Sequence, residues 1–232
     1  NIFIVTGGAD NACSLLSINN INNSAVISLG TSGTIMIPTE RLIIDKVTGI
    51  HLMKHTLPEF NYRMGVILSA GSSLNWWQKI LPNKTIDQII KIAKRADKHE
   101  DQVIFLPYLS GERTPHQNPD ARGVFFGINA SSSSAELTHA VLQGIGFAIK
   151  NSLDILSKDH KISSAIIVGG GGKSNKWSQI ICDILNLELI HYEINDGAAL
   201  GASYLGKIGF SKDFNLDNHL QRRNENFRVF KP

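Results

Sequence analysis

Four consecutive glycines at residues 169–172 separate a short apolar segment from a polar one. The apolar segment, 165–168, is β-branched and short, which predicts a buried strand. Ser174 follows the glycines and can cap the amino end of a helix. A strand that turns through glycines into a helix is typical of α/β proteins, where such a turn often brings the backbone close to a nucleotide. The simpler alternative is that the glycines serve only the geometry of the turn.

The glycine run differs from the two best-known nucleotide motifs. A P-loop needs a glycine five residues before its Gly-Lys pair, and that position holds Ile167. The dinucleotide fingerprint fails at Lys173 and Ser174. The run therefore indicates a nucleotide or another flat ligand without naming one.

The rest of the chain alternates strands and helices. Strands are predicted at 2–6, 25–29, 34–38, 64–68, 103–106, 123–128, 165–168 and 187–192, with a further hairpin within 42–57. Helices are predicted at 11–18, 71–81 and 197–208. Three more are predicted to begin at the capping pairs Thr85–Gln88 and Ser133–Glu136 and after Ser174. This order predicts an α/β domain with a mixed central sheet flanked by helices.

Composition excludes several classes of protein. The 23 basic and 20 acidic residues give a net charge of +3, which is too balanced to indicate nucleic-acid binding. No apolar run approaches the roughly 18 residues of a membrane span. Cys13 and Cys182 are isolated among small or apolar residues, so we expect buried free thiols and a cytoplasmic location. We interpret the basic residues Arg222, Arg223 and Arg228 as solvated surface.

A second candidate site lies between two predicted strands. Gly30, Thr31, Ser32, Gly33 and Thr34 form the tip of this hairpin. Glycines let backbone amides point into a turn, and three hydroxyls lie beside them, so the tip could bind a phosphate. Alternatively, it is only a tight hairpin.

Asp10 is a third candidate, because it follows a predicted strand and a glycine turn at Gly7 and Gly8. A carboxylate in that place can meet a ligand and take a proton from a substrate hydroxyl. Asp10 would serve equally well as the N-cap of the helix at 11–18.

A fourth candidate is the loop at 107–122, which is rich in proline, glycine and charge. Loops of this length are usually functional or mobile, so we consider it as a lid. Arg113 and Arg122 suit phosphate or carboxylate groups, although the loop could simply be held on the surface by its own salt bridges. Neither the cysteine–histidine spacing of a metal site nor a hydrolase nucleophile motif occurs, so no metal ligand is predicted.

Four segments then occur in a characteristic order. They are Gly-Gly-Ala-Asp-Asn-Ala at 7–12, Leu-Gly-Thr-Ser-Gly-Thr at 29–34, Leu-Ser-Ala-Gly-Ser-Ser-Leu-Asn-Trp at 68–76 and Leu-Pro-Tyr-Leu-Ser-Gly-Glu-Arg-Thr-Pro-His at 106–116. This succession resembles the FGGY carbohydrate kinases, and the resemblance covers roughly residues 3–208. Within that family, the last segment is most similar to the xylulose kinases.

The resemblance implies an actin-like, ribonuclease-H-like fold with ATP and Mg²⁺ as cofactors. It implies that Asp10 is the catalytic base and that the tip, with Gly30, Thr31, Ser32, Gly33 and Thr34, holds the terminal phosphates. The remaining implied contacts are Gly71 and Asn75 along the nucleotide, and Gly170, Gly171, Ser174 and Asn175 at the adenosine.

The resemblance also implies a domain organisation. We expect residues 1–20 to end an N-terminal domain and carry the base, and residues 21–232 to form the C-terminal ATP-binding domain. The N-terminal sugar-binding domain would lie outside this chain, which we take as an inactive fragment of a longer protein.

The full-length protein is expected to convert a ketopentose, D-xylulose, to D-xylulose 5-phosphate. Its partners would be the sugar, ATP and the N-terminal domain, without nucleic acid or membrane. The oligomeric state stays open, a homodimer included. Two alternatives also stay open: another FGGY kinase acting on gluconate, ribulose or glycerol, and an actin-like module that binds nucleotide without catalysis.

Overall fold

The computed structural model describes residues 2–18, 21, 23–40, 48–95, 102–193, 196–211, 213–222 and 226–232. The helices are α1 (Asp10–Leu16), α2 (Gly71–Ile80), α3 (Ile86–Ile92), α4 (Ser134–Leu156), α5 (Asn175–Leu185), α6 (Gly197–Phe210) and α7 (Leu216–Arg222). The strands are β1 (Ser24–Leu29), β2 (Gly33–Thr39), β3 (His51–Lys54), β4 (Asn61–Ile67), β5 (Ile104–Leu106), β6 (Val124–Phe126), β7 (Ser164–Val168), β8 (Glu188–Tyr192) and β9 (Phe227–Phe230).

Seven strands form one sheet in the order β3-β4-β2-β1-β7-β8-β9, and β5 pairs with β6 in a second, two-stranded sheet. In the large sheet, β1, β7 and β8 are parallel to one another. The other four strands join antiparallel. This mixed sheet with flanking helices confirms the predicted α/β class.

Helices cover both faces of the sheet. On one face, Ile27 and Leu29 of β1 pack in a core shared with α4 and α5. On the other face, Val26 packs with Ala12 and Leu15 of α1. Successive side chains of a strand point to opposite faces, so β1 is buried on both sides.

The predicted helix starts are confirmed where a capping pair marks them. Thr85 with Gln88 and Ser133 with Glu136 each form a reciprocal capping box at α3 and α4. These pairs satisfy amides that the first turn of a helix leaves without partners. No helix among the described residues is long and apolar enough to cross a bilayer.

The strand predicted at 2–6 is wrong. Ile2 and Ile4 are 94% and 95% exposed, and residues 2–9 belong to no strand. Phe3 instead contacts Phe210 of α6 edge-to-face, with 5.5 Å between ring centroids. A β-branched run forms a strand only where a neighbouring strand pairs with it, and here its neighbour is a helix.

The hairpin predicted within 42–57 is only partly testable, because residues 41–47 lie outside the described residues. Within the described part, β3 pairs antiparallel with β4, so the hairpin partner lies further along the chain than predicted. The sequence analysis does not predict α7 or β9. Both cysteines are buried and free, as predicted.

Candidate functional site

Three glycine-containing segments meet at the sheet edge where the parallel strands end. β1 and β7 are parallel neighbours, with Ser28 opposite Val168 at their carboxyl ends. β4 ends at the same edge, because Ile67 lies opposite Gly33 at the start of β2. The three segments at this edge are the tip (30–34), the α2 start (68–75) and the glycine turn (169–173).

The tip is fastened to the α2 start by backbone hydrogen bonds. The amide of Gly71 donates to the Gly30 carbonyl at 2.9 Å, and that of Ser72 donates to Thr31 at 3.0 Å. A Cβ atom at position 71 would lie 2.5 Å from the Gly30 carbonyl oxygen, so the approach requires glycine. Helix α2 therefore fixes the shape of the tip, and these two amides are already used.

The glycine turn closes onto the end of β1. Gly169 has a φ of 91°, and a Cβ atom there would lie 2.8 Å from the Leu29 carbonyl oxygen. A Cβ atom on Gly171 would overlap the Leu29 side chain. Gly170 is different, since a Cβ atom there would meet nothing within 4 Å among the described residues. Packing thus explains Gly169 and Gly171, whereas the side of the turn at Gly170 is open to a flat ligand.

Polar side chains surround these turns. Thr31 and Ser32 of the tip are exposed, and so is Asn75 of α2. Asn75 lies one helical turn beyond Gly71 and thus on the same side of α2. The Oγ1 atom of Thr34 is buried and has no hydrogen-bond partner among the described residues. The arrangement offers uncharged hydrogen-bond donors to an anion.

Two predicted adenosine contacts also have structural roles within the chain. The Ser174 hydroxyl accepts a hydrogen bond from the Trp177 amide at 3.3 Å, which confirms Ser174 as the cap of α5. The Oδ1 atom of Asn175 accepts from Arg228 of β9. Sequence reasoning missed Arg228. The only available signal was the short apolar alternation of residues 227–230.

Asp10 is the first residue of α1, and its side chain is exposed. Ala9 is the N-cap and no side chain caps the helix, so the alternative role of Asp10 as N-cap is wrong. Its Oδ1 atom accepts from the Asn11 amide at 2.7 Å. Burial, followed by the nearby acidic groups of Asp10 and Cys13, raises the pKa of Tyr62 in β4.

Helix α1 begins above β4, where Nδ2 of Asn11 donates to Sδ of Met64 at 3.6 Å. Its far end lines a cavity of about 310 Å³ together with Pro38 and Asn61, at the opposite ends of β2 and β4. That cavity contains none of the predicted site residues. No hydrogen bond between Asp10 and the three glycine segments is found among the described residues. Within the described residues, the structure thus joins the glycine segments to one another but does not join Asp10 to them by a hydrogen bond.

The loop at 107–122 is built into the sheet. β3 is too short to cover the end of β4, and side chains of the loop replace it. Thr114 Oγ1 accepts from the Val66 amide at 3.0 Å, and Glu112 Oε1 accepts from the Leu68 amide at 2.9 Å. Glu112 and Thr114 are only 2% and 1% exposed. These buried acceptors, rather than the predicted salt bridges, hold the loop. In any lid movement, the part of the loop around Glu112 and Thr114 would therefore have to stay in place.

The Glu112→Gln variant is expected to gain stability relative to the wild type as the pH rises. Burial raises the pKa of Glu112, and the amides of Leu68 and Arg113 oppose this only in part. For an acid with a raised pKa, folding stability is fully present below the unfolded value near 4.5 and falls as the pH rises through the folded value. Glutamine keeps an accepting oxygen but carries no charge, so the fall in folding stability with rising pH should be absent in the variant. Urea unfolding of both proteins from pH 4 to 8 measures the difference.

The Glu112→Ala variant is the companion to that measurement. Alanine leaves the Leu68 amide without an acceptor, which should cost about 1–3 kcal/mol at every pH. Equal pH dependence in the wild type and in Glu112→Gln would show that the buried carboxyl does not titrate as described.

No group of three or more histidine, cysteine, aspartate or glutamate side chains that could hold a metal ion lies in the described ranges. A magnesium ion held mainly by the phosphates of a nucleotide requires no such group, because Mg²⁺ commonly keeps its waters and only one or two protein ligands. The exposed hydroxyls of Thr31 and Ser32 are compatible with that arrangement.

Comparison with known proteins identifies the family. Residues 25–210 match the C-terminal domain of the FGGY family of carbohydrate kinases. A xylulose kinase of Escherichia coli is 38% identical over 216 residues, which is 92% of this chain but 45% of that protein. A gluconokinase of Bacillus subtilis is 29% identical over 231 residues. A crystal structure from Brucella ovis, described as a xyloylose kinase, superposes with a TM-score of 0.87 at 34% identity, covering 97% of this chain and 47% of that one.

The chain therefore belongs to the FGGY family of carbohydrate kinases and represents its C-terminal domain. It spans under half the length of the curated relatives that it matches. The predicted family and the actin-like class of fold are confirmed.

Proposed function

We propose that this chain is the nucleotide-binding half of an ATP-dependent sugar kinase. The observation that carries the proposal is the convergence of the tip, the α2 start and the glycine turn at one sheet edge, in a chain of this family. In this proposal, residues 1–20 link to an N-terminal domain and residues 21–232 bind ATP. The N-terminal domain would supply most contacts to the sugar.

The nucleotide would lie across the three glycine segments. Thr31 and Ser32, with the neighbouring Gly30, Gly33 and Thr34, would hold the terminal phosphates and their Mg²⁺. Gly71 and Asn75 would line the middle of the nucleotide. The adenosine would contact the glycine turn and the start of α5, through Gly170, Gly171, Ser174 and Asn175. The open side of Gly170 supports the last of these assignments.

Asp10 would act as the general base. As a sugar hydroxyl oxygen attacks the γ-phosphorus of ATP, its proton moves to the Asp10 carboxylate and ADP leaves. Phosphoryl transfer depends mainly on positioning and on neutralising charge, so one placed carboxylate is sufficient as the base. The exposure of Asp10 at the amino end of α1 leaves it accessible to a substrate.

We propose a ketopentose, D-xylulose, as the sugar. Relatives named xylulose kinases at 31% to 38% identity support this choice. The gluconokinase at 29% identity keeps a gluconate kinase as the alternative. A cytoplasmic setting is part of the proposal, since two buried free thiols suit a reducing compartment.

The proposal is tested by supplying the missing half. The chain is joined to the N-terminal half of the Escherichia coli xylulose kinase, and ADP release is measured with D-xylulose, D-ribulose, gluconate and glycerol. The highest kcat/KM with D-xylulose is expected. A preference for gluconate would show that gluconate, and not D-xylulose, is the substrate. Nucleotide binding without turnover on any sugar would favour a module that binds nucleotide without catalysis.

A further inference from the structure

Arg228 of β9 joins the glycine turn to the last strands of the sheet. Its guanidinium donates to the carbonyl oxygens of Lys173 at 3.2 Å and Gly172 at 3.4 Å, and to Oδ1 of Asn175. Its Nη2 atom also lies 2.9 Å from Nδ1 of His191, the residue opposite it in β8. The interpretation of Arg228 as solvated surface is therefore wrong, because strand pairing holds its side chain against the turn.

The contact with Asn175 fixes the orientation of that side-chain amide. A guanidinium carries only donors, so the oxygen of the amide must face Arg228. The amide nitrogen, with its two donors, then faces away. Such a group is complementary to a ligand with acceptor atoms, as the ring nitrogens of a purine are.

The same reasoning fixes the tautomer of His191. Because Arg228 can only donate, Nδ1 of His191 accepts and the neutral ring carries its proton on Nε2. Burial and then the charge of Arg228 lower the pKa of His191, while Glu193 raises it and Lys173 lowers it further. His191 supports the turn directly, since a Cβ atom on Gly172 would lie 2.5 Å from its Cδ2 atom.

A concavity of about 660 Å³ opens beside these groups. Its lining consists of Gly169, Gly170, Lys173, His191, Tyr192, Glu193, Asp196 and Arg228. Ligand pockets in proteins commonly have volumes of about 300–1,000 Å³, so the concavity can take a nucleoside. Arg228 thus contacts both the walls of the concavity and the turn that borders it.

We infer that Arg228 is a positioning residue of the nucleotide site. It holds the glycine turn in the shape that the nucleotide meets, and it presents the donors of Asn175. The inference rests on the proposed function and extends the site to β9, which carries no predicted contact. Arg228 acts through the turn and through Asn175, so it need not touch the substrate.

The test measures the Kd of a non-hydrolysable ATP analogue with Mg²⁺, by calorimetry on the 232-residue chain. Arg228→Ala should raise the Kd by about tenfold or more, because several hydrogen bonds to a charged group are lost. Arg228→Lys keeps the charge but not the planar fork, so its Kd should lie between the two. Lys231→Ala is the matched control, because it removes one exposed charge from the same segment and should leave the Kd unchanged.

A second readout follows the His191 ring by NMR during a pH titration. Its pKa should rise in Arg228→Ala, which loses the neighbouring positive charge, and should stay the same in Lys231→Ala.

The two proposals fail in different ways. If the wild type binds the analogue and Arg228→Ala binds it within twofold, the positioning role is overturned while the proposed function stands. If the wild type does not bind, the proposed function fails, and the role of Arg228 at a nucleotide site fails with it. A shift of the His191 pKa in that case would show only that Arg228 orders an empty turn.

Discussion

Replacing Asp10 by asparagine is expected to lower kcat about 10²–10⁴-fold in the joined two-domain enzyme, which is the usual contribution of a general base. Asparagine has nearly the same shape but cannot accept the proton of the sugar hydroxyl. The Kd for the ATP analogue should stay within about twofold, because Asp10 makes no hydrogen bond to the glycine segments in the described residues. The only side-chain hydrogen bond of Asp10 in the described residues goes to the Asn11 amide, and an asparagine oxygen can replace it.

Asp87→Asn is the control for that measurement. Asp87 is also an exposed acid in the first turn of a helix, α3, so its replacement has the same effect on the helix dipole. Its kcat should equal that of the wild type. A near-normal kcat in Asp10→Asn would remove Asp10 from the mechanism.

Gly201→Ala is expected to lower the free energy of unfolding by about 1–3 kcal/mol. A Cβ atom at position 201 of α6 would lie 2.5 Å from the carbonyl carbon of Cys13 in α1, and closer still to its oxygen. The clash is with backbone, so no change of side-chain rotamer relieves it and the two helices must separate. Because α1 carries Asp10, kcat of the joined enzyme should fall as well.

Gly206→Ala provides a matched control in the same helix. A Cβ atom at position 206 would meet nothing within 4 Å among the described residues. Alanine inside a helix is more favourable than glycine by roughly 0.5–1 kcal/mol, so this variant should be as stable as the wild type or more so. Equal stability of the two variants in urea unfolding would contradict the close contact between α1 and α6.

The parts of the fold that the sequence predicted depend on local signals. The capping pairs Thr85–Gln88 and Ser133–Glu136 place helix starts because their partners are three residues apart. The glycine turn is predicted for a similar reason, since four consecutive glycines directly after an apolar run mark the end of a strand within a few residues. Strands β1, β2, β7 and β8 follow from short apolar runs bounded by turns.

The parts that were missed depend on residues far apart in the chain. The loop that contains Glu112 was considered as a lid or as a surface loop, yet Glu112 is buried because the pairing of β3 with β4 extends only to Met64. Arg228 was assigned to solvated surface, yet it reaches a turn more than fifty positions earlier in the chain. The run at 2–6 has the composition of a strand, but composition does not show whether a partner strand is available.

The candidate site divides in the same way. The sequence indicates candidate glycines but not the packing that each one makes. Gly71 and Gly169 are required by backbone contacts with Gly30 and Leu29, whereas Gly170 is free of such contacts. That difference depends on the three-dimensional packing, and it separates Gly71 and Gly169, which the packing requires, from Gly170, whose side is open.

Calorimetry of the ATP analogue on the 232-residue chain, with and without Mg²⁺, tests the central claim that this chain contains a nucleotide platform. We predict binding of one analogue per chain, and loss of that binding in Gly170→Val, whose fold should be unchanged because the position is open. Absence of binding by the wild type, or equal binding by wild type and Gly170→Val, would contradict the account.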